Sequence, residues 1–250
     1  MKAILLRRVA LFMNPYLFII AYNIISLLNR NLILLFAFML IDISGLTQTP
    51  TSIATDLSFL RSIRKGQRFL AVGQTVHGDF HFGSRDGLTV LFSYYTLGKF
   101  KNQLAATAKS AGTVPQQFNF ISSAQMRIRH ISIGWKRYLK GTFNMDGGWN
   151  LYGYAGFGLL IGQATNVFDR SIDTSLYNTP ANPLNGTGKF KRLTFDLGAG
   201  WEIPIGIDIY FFTEGRAWIP TTSYPSNYLL VNNSAPLIAT LSAGIRILFD

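Results

Sequence analysis

Two of the chain's three histidines flank an aspartate in the stretch VHGDFHFG, residues 76–83. His77, Asp79 and His81 follow the spacing H-x-D-x-H. Imidazole and carboxylate groups bind zinc and transfer protons, so the stretch is a candidate metal site or acid–base centre. On a β-strand the three side chains share one face, but the two histidines then stand roughly 13 Å apart. One zinc ion, with bonds of about 2.1 Å, could use a neighbouring pair but not all three.

The composition disfavours an ordinary water-soluble domain. Of the 250 residues, 48% are hydrophobic and only 14% are charged, against roughly 25% charged in typical soluble domains. After residue 48, however, no uncharged apolar run approaches the roughly 20 residues of a membrane-spanning helix. The hydrophobicity must therefore follow a pattern along the chain.

Composition also excludes several kinds of site. The chain has no cysteine, which rules out disulfides and thiolate metal sites. Its formal net charge is +11, but the basic residues are scattered and follow no nucleic-acid-binding motif. The glycine-rich GFGLLIG, residues 156–162, lies inside an alternating stretch and lacks the setting of a nucleotide loop. We expect no nucleic acid, no metal and no cofactor.

The first 48 residues differ from the rest. Apolar runs at 9–28 and 32–41 are separated by NRN. The second run has a preceding arginine and following small and polar residues, as in an export signal, whereas the first could span a membrane as a helix. Both runs are explained if translation starts after Met1, or if the first run is an elongated part of the export signal. We expect residues 1–48 to be a signal peptide or hydrophobic segment, and residues 50–250 to form a separate domain.

Strict two-residue alternation dominates residues 50–250. In RLTFDLGAGWEIP one parity is apolar and the other is polar or small, and successive strand side chains point to opposite faces. Such stretches run for ten or more residues, which suits the roughly 9–11 of a tilted membrane strand. A soluble sandwich or lipocalin-like barrel also alternates, but here the outward faces carry almost no charge. The pattern favours an all-β, transmembrane, antiparallel up-and-down β-barrel.

The alternation predicts seven clear strands and an eighth before them. Residues 51–62 supply the first strand, although DLSFLRSIRKG could also form a short helix. The stretch MRIRHISIGWKRYLK loses its phase near His130, which predicts a β-bulge there. Short connectors SRDG, NMDGG and PIG would face the periplasm, and the long connectors 105–117, 167–191 and 220–236 the outside. The seven clear strands are expected at 68–82, 87–104, 118–139, 149–166, 192–203, 207–219 and 237–249.

Large aromatic residues support this orientation, because girdles of aromatic side chains belong at membrane interfaces. Five outward-facing aromatic residues map near the periplasmic rim, an agreement that the argument from loop lengths did not require. The predicted girdle comprises Phe82, Trp135, Trp149, Trp201 and Phe249.

These features together resemble small, about eight-stranded bacterial outer-membrane β-barrels of the OmpA/OmpX type in architecture. The resemblance covers residues 50–250 as a pattern, including the closing strand AGIRILF, and identifies no specific member. It implies export across the inner membrane, recognition by the barrel-assembly machinery and insertion into the outer membrane, beside its lipids and lipopolysaccharide. Barrels of this type commonly end on an aromatic residue, whereas here Phe249 is followed by Asp250.

Charged residues on the inward parity indicate a lumen filled with ion pairs, because an eight-stranded barrel is only wide enough for side chains. A paired-carboxylate catalyst or a cation path is the competing interpretation. The predicted lumen network comprises Asp196, Glu202, Asp208, Glu214, Arg216, Arg246 and Lys136.

Basic residues map near or above the external rim, at the level of the lipid A phosphates, with which they could form charge-assisted hydrogen bonds. A generally basic surface is the alternative. The predicted phosphate contacts are Lys65, Arg68, Lys99, Lys101, Lys109, Lys189, Lys191 and Arg192.

The sequence thus favours a non-enzymatic barrel with a structural or surface-binding role and a plugged lumen. A barrel-embedded lipid- or peptide-modifying hydrolase using His77, Asp79 and His81 is the alternative, although no serine has a recognisable catalytic setting. A narrow channel is a further alternative. The Tyr-, Pro- and Asn-rich external loops suit a binding surface, and their composition specifies no ligand.

Overall fold

The computed structural model describes residues 49–64, 66–221, 226–229 and 237–249. The predicted N-terminal segment, Lys65 and Asp250 lie outside these ranges. Residues 50–250 constitute one compact unit. No helix in the described ranges is long and apolar enough to cross a membrane. The strands are β1 (Thr51–Ser62), β2 (Leu70–His81), β3 (Asp86–Ala108), β4 (Gln117–Lys140), β5 (Asn150–Phe168), β6 (Tyr177–Asn178), β7 (Gly186–Gly206), β8 (Ile209–Pro220) and β9 (Ile238–Phe249).

The strands close into a ring. Each long strand pairs antiparallel with the next, and β1 pairs with β9 along its whole length. The two-residue β6 pairs only with the C-terminal end of β3, so eight of the described strands form the ring. The prediction of an all-β, antiparallel up-and-down barrel of eight strands is confirmed. Residues 51–62 form the first strand, and the helical alternative is wrong.

Strand β1 shows why the sequence adopts this fold. Every second side chain, including Asp56 and Ser58, is buried inside the ring, while Leu57 and Phe59 on the alternate positions are exposed on the outside. Large apolar side chains therefore face out and polar ones face in, the reverse of a water-soluble barrel. An exterior of this kind is stable where it contacts hydrocarbon.

The two ends of the ring carry different connectors. We call the end that holds Thr51 and Phe249 the lower end, and the opposite end the upper end. The lower connectors are 82–85, 141–149 and 207–208, and the upper ones are 63–69, 109–116, 169–185 and 221–237. The predicted loop 167–191 is too long, because β5 continues to Phe168 and β7 already begins at Gly186.

One side of the barrel is taller than the other. Strands β3, β4, β5 and β7 have 19 to 24 residues, whereas β1, β2, β8 and β9 have 12 each. Pairing of β3 with β2 stops at Thr96, and pairing of β7 with β8 begins at Thr194. Beyond these points the four long strands continue upward as a sheet, which we call the upper sheet.

Polarity inverts along the tall wall near His130. The predicted bulge at His130 is wrong, because β4 keeps one register with β5 through this residue. The register shift lies on β3 between Tyr95 and Gly98, where Leu97 has a φ of 63°. Below His130 the inward side chains of β4 are mostly polar, and above it they are mostly apolar, while the outward ones become polar, beginning with Arg129 and Arg127. The sequence loses its phase because the apolar face changes sides.

The interior accordingly has two layers. The lower layer is polar and charged, and the upper layer is an apolar cluster that includes Phe69, Trp218 and Leu229. Glycines on β5 make room for it, since a Cβ on Gly162 would collide with the Phe190 ring. A cavity of about 20 Å³ remains in the upper layer, which is space for about one water molecule.

Replacing outward Ile133 by arginine tests whether the lower exterior lies in lipid. Ile133 is 52% exposed, so Ile133→Arg would be nearly neutral in water. At mid-bilayer depth an outward arginine costs about 2–4 kcal/mol. We expect that loss in urea unfolding from lipid vesicles, with Gln103→Arg on the exposed upper sheet as a near-neutral control. Equal stability of the two variants would contradict a membrane-embedded exterior.

Candidate functional site: the charged lumen and the basic rim

The three residues of the H-x-D-x-H stretch all lie inside the ring on β2, and all are buried. They contact three different partners. His77 Nε2 lies 3.3 Å from Asp56 Oδ2, and His81 Nε2 lies 2.7 Å from Ser52 Oγ. Within the described ranges, no group of three or more His, Asp or Glu side chains is placed to hold a metal ion.

Asp79 is held by the next two strands of the ring, β3 and β4. The Lys136 ammonium on β4 donates to its Oδ2 at 2.8 Å, and the Thr89 hydroxyl donates to its Oδ1 at 2.7 Å. The Lys136 ammonium also lies 4.2 Å from the centre of the Tyr152 ring. Both carboxylate oxygens are thus satisfied, and a buried charge paired in this way is stable.

Arg246 on β9 links the lower ends of several strands. Its guanidinium donates two hydrogen bonds to Glu202 on β7, at 3.1 and 2.8 Å. It also donates to the Ser52 hydroxyl on β1 at 2.9 Å and to the Phe143 carbonyl oxygen at 2.7 Å. Asn150 on β5 donates to Glu202 at 2.8 Å. The planar guanidinium supplies the several fixed donors that such a junction requires.

A second arginine occupies the middle of the lumen. Arg216 pairs with Glu214 on the same strand, β8. One of its terminal nitrogens lies 3.2 Å from the His77 ring nitrogens. The Tyr152 hydroxyl donates to Glu214 at 2.9 Å. Together with Asp56 at His77, these contacts extend the polar layer from β1 across to β5.

The predicted lumen network needs one correction. Six of its members are buried inside the ring, but Asp208 is exposed in the β7–β8 turn with a φ of 57°. The prediction of Asp208 in the lumen is wrong, because Ile207 and Asp208 form a two-residue turn, and an aspartate tolerates this left-handed conformation. Glu202 therefore faces Phe212 across the pair rather than Asp208. The buried six are Asp196, Glu202, Glu214, Arg216, Arg246 and Lys136.

Two lumen residues were missed by the sequence analysis. Asp56 lies on the same inward parity of β1 as Ser52 and Ser58, a signal that was available. His130 lies 3.0 Å from the Thr194 hydroxyl and 3.3 Å from Asp196 Oδ2, and its ring stacks on Trp218. The supposed bulge obscured its inward direction. All three histidines of the chain thus face the lumen.

Most of the predicted rim residues are exposed in the structure, but Arg192 is buried. Arg192 is 2% exposed and points inside the ring, with its guanidinium 5.6 Å from the centre of the Phe190 ring. Its assignment to the rim is wrong, because it shares the inward parity of Thr194. Lys65 lies outside the described residues, and Lys109 donates to the Thr174 carbonyl oxygen in an upper connector. The exposed remainder is Arg68, Lys99, Lys101, Lys109, Lys189 and Lys191.

Two exposed arginines on the tall wall were missed. Arg127 and Arg129 project outward from β4, in the stretch where the polarity inverts. Arg129 lies with its guanidinium 5.9 Å from the centre of the Tyr94 ring on β3. Arg127 and Arg129 share the parity of the outward-facing Ile131 and Ile133, which could have identified them as outward residues.

The aromatic residues of the predicted girdle are all exposed at the lower end. The rings of Phe82 and Trp135 lie 6.0 Å apart, and Trp135 donates to Asp86 at 2.9 Å. The Lys140 ammonium lies 3.5 Å from the centre of the Trp149 ring. Apolar bodies with polar partners on one side suit a membrane–water interface.

Solved structures with a similar arrangement include three outer-membrane or surface proteins. One is Ail, the attachment invasion locus protein of Yersinia pestis, in complex with the heparin analogue sucrose octasulfate. Its sequence is 12% identical to this chain, and the TM-score is 0.45. The match covers 80% of this chain and 99% of that chain. Neisserial surface protein A is 9% identical, with a TM-score of 0.46, and the match covers 79% of this chain and 96% of that chain. A major outer membrane protein from Thermus thermophilus is 9% identical, with a TM-score of 0.48 over 80% and 99%.

No family model matches the chain, and no curated protein matches it. The chain's own geometry defines its class. A closed ring of antiparallel neighbours, with an apolar exterior around a charged interior, is the architecture of a small up-and-down transmembrane β-barrel.

Removing Arg246 tests whether the charged layer holds the barrel together. Arg246→Met leaves Glu202 buried without its cation, so we expect a loss of about 3–5 kcal/mol in unfolding free energy. The double variant R246M/E202Q leaves no buried charge unpaired and should be more stable than R246M alone. If the double variant lost as much unfolding free energy as R246M and E202Q lose together, the Arg246–Glu202 pair itself would contribute little.

Proposed function

We propose that the chain is an integral bacterial outer-membrane β-barrel with a structural or surface-binding role, a lumen plugged by side chains and a basic upper rim that faces lipopolysaccharide. The observation that carries the proposal is the continuous apolar exterior of a closed ring, bounded by aromatic residues below and basic residues above. A water-exposed barrel would not keep so many large apolar side chains outside.

The distribution of charge supports the orientation. At the lower end basic and acidic residues are mixed, as at Arg85, Asp86, Arg137 and Asp208. At the upper rim the charged residues that face outward on the described strands are all basic. This asymmetry matches a lower end in the periplasm and an upper end at the anionic lipopolysaccharide surface. The position of Phe249 at the lower end of the last strand suits recognition by the assembly machinery.

The contents of the lumen support a plugged barrel. The charged layer crosses the lower half with paired ions, and the apolar layer fills the upper half. A conducting pore would need a connected water path through both layers. The cavity of about 20 Å³ among the apolar side chains is too small to supply one.

The arrangement of the candidate catalytic residues favours the non-enzymatic proposal over the hydrolase. His77, Asp79 and His81 are 3%, 1% and 2% exposed, so a substrate outside the ring cannot contact them. Each is engaged by a separate polar partner, and a general base needs free access to the proton that it abstracts. We propose that they fill the lumen and position the surrounding ions.

Conductance in planar bilayers tests the plug. The wild-type protein should give no stable conductance steps. Phe69→Ala/Phe190→Ala, which removes two aromatic rings from the upper layer, should remain closed because the charged layer still blocks the lower half. Adding Lys136→Ala and Arg246→Ala should open a path, provided that circular dichroism shows intact β-structure. Stable steps from the wild-type protein would contradict the plugged lumen and favour the channel.

A further inference from the structure

Four cations form two rows on the outer face of the tall wall. The register places Arg129 on β4 beside Ile161 on β5, and Ile161 beside Lys191 on β7. One step higher, Arg127 lies beside Gln163, and Gln163 beside Lys189. All four cations point outward and are exposed. We call this set, Arg127, Arg129, Lys189 and Lys191, the four-cation patch.

The dimensions of the patch suit an anionic headgroup. Residues two apart on one strand are roughly 7 Å apart, and strands β4 and β7, with β5 between them, are about 10 Å apart. The cations therefore mark the corners of a rectangle. A surface groove of about 190 Å³ lies within it, lined by Tyr94, Arg127, Arg129, Ile161, Gly162, Gln163 and Lys189.

The patch contains no compensating acid. None of the four cations forms a salt bridge with an acidic side chain of the described residues, whereas Lys136, Arg216 and Arg246 in the lumen each do. Like charges about 7 to 10 Å apart on one exposed surface repel one another, most strongly at low salt. An anion bound among them would remove that repulsion and form charge-assisted hydrogen bonds.

The height of the patch indicates which anion. Directly below the patch lies an apolar row that crosses the tall wall from β3 to β7. Its members, paired in register, are Phe92, Ile131, Leu159 and Leu193. A lipid whose acyl chains pack on this row holds its headgroup at the level of Arg129 and Lys191. Ile161 lies between the cations, and the Tyr94 ring lies beside Arg129 on β3. Together they give the groove the mixed character that suits a glycolipid headgroup.

We infer that the four-cation patch is a binding site for the phosphorylated headgroup of an outer-leaflet glycolipid, lipid A in chemical class. The inference rests on the proposed function, since it requires the upper rim to lie at the outer leaflet. It adds a location: the phosphates bind on the β4–β5–β7 wall rather than evenly around the rim. It also assigns Arg127 and Arg129 to the contact, with Tyr94 beside them.

Titration of the folded full-length protein in non-ionic detergent tests the site. The probes are lipid A, dephosphorylated lipid A and phosphatidylglycerol. Wild-type protein should bind lipid A at least about tenfold more tightly than either other lipid, and raised salt should weaken the binding. The variant R127Q/R129Q/K189Q/K191Q should lose that preference. The control R61Q/R68Q/K99Q/K101Q removes the same charge from other exposed rim positions and should lose much less of the preference.

The outcomes distinguish a failure of the four-cation patch from a failure of the proposed function on which it rests. Equal losses in the two quadruple variants would overturn the local site while leaving a basic rim that binds lipopolysaccharide. Equal binding of phosphatidylglycerol and lipid A would overturn the glycolipid assignment. Wild-type protein that does not distinguish phosphorylated from dephosphorylated lipid A would overturn both the site and the rim's proposed role. All eight substituted positions are exposed, and circular dichroism verifies that each variant keeps its β-structure.

Discussion

Hydrocarbon offers no hydrogen-bond partner to the backbone, so every amide and carbonyl group at membrane depth must be satisfied within the protein. The pairing of β1 with β9 meets this requirement, because it removes the two edges that an eight-stranded sheet would otherwise leave. The other features follow from closure. The ring separates an outward face that must be apolar from an interior that only side chains can fill, and a narrow lumen forces the buried charges into pairs.

The inversion near His130 shows where that environment ends. Below it the apolar side chains of β4 face outward, and above it they face inward, with Arg127 and Arg129 outside. One strand therefore belongs to a membrane barrel in its lower part and to a water-exposed barrel in its upper part. The same change places the paired ions low in the lumen, the apolar cluster high, and a row of cations at the boundary. The surface chemistry and the plug have one physical origin.

Local alternation was sufficient to predict the strands and the inward direction of His77, Asp79 and His81, since a period of two depends only on neighbouring residues. Which residues pair across strands depends on register, which the sequence does not state. Asp208 was misplaced because the turn was predicted at PIG, residues 204–206, whereas β7 continues to Gly206 and the turn lies at residues 207–208. Arg192 was assigned by its height, although its parity already pointed inward. Arg127 and Arg129 were overlooked because the inversion of polarity was interpreted as a bulge.

Electrophoretic migration of outer-membrane fractions, with and without boiling, tests the membrane barrel most directly. Closed barrels stay folded in detergent at room temperature, so their compact and boiled forms migrate differently. The account predicts that the protein is recovered in the outer-membrane fraction and shifts in apparent mass on heating. Recovery in the soluble pool, with identical migration of heated and unheated samples, would contradict it.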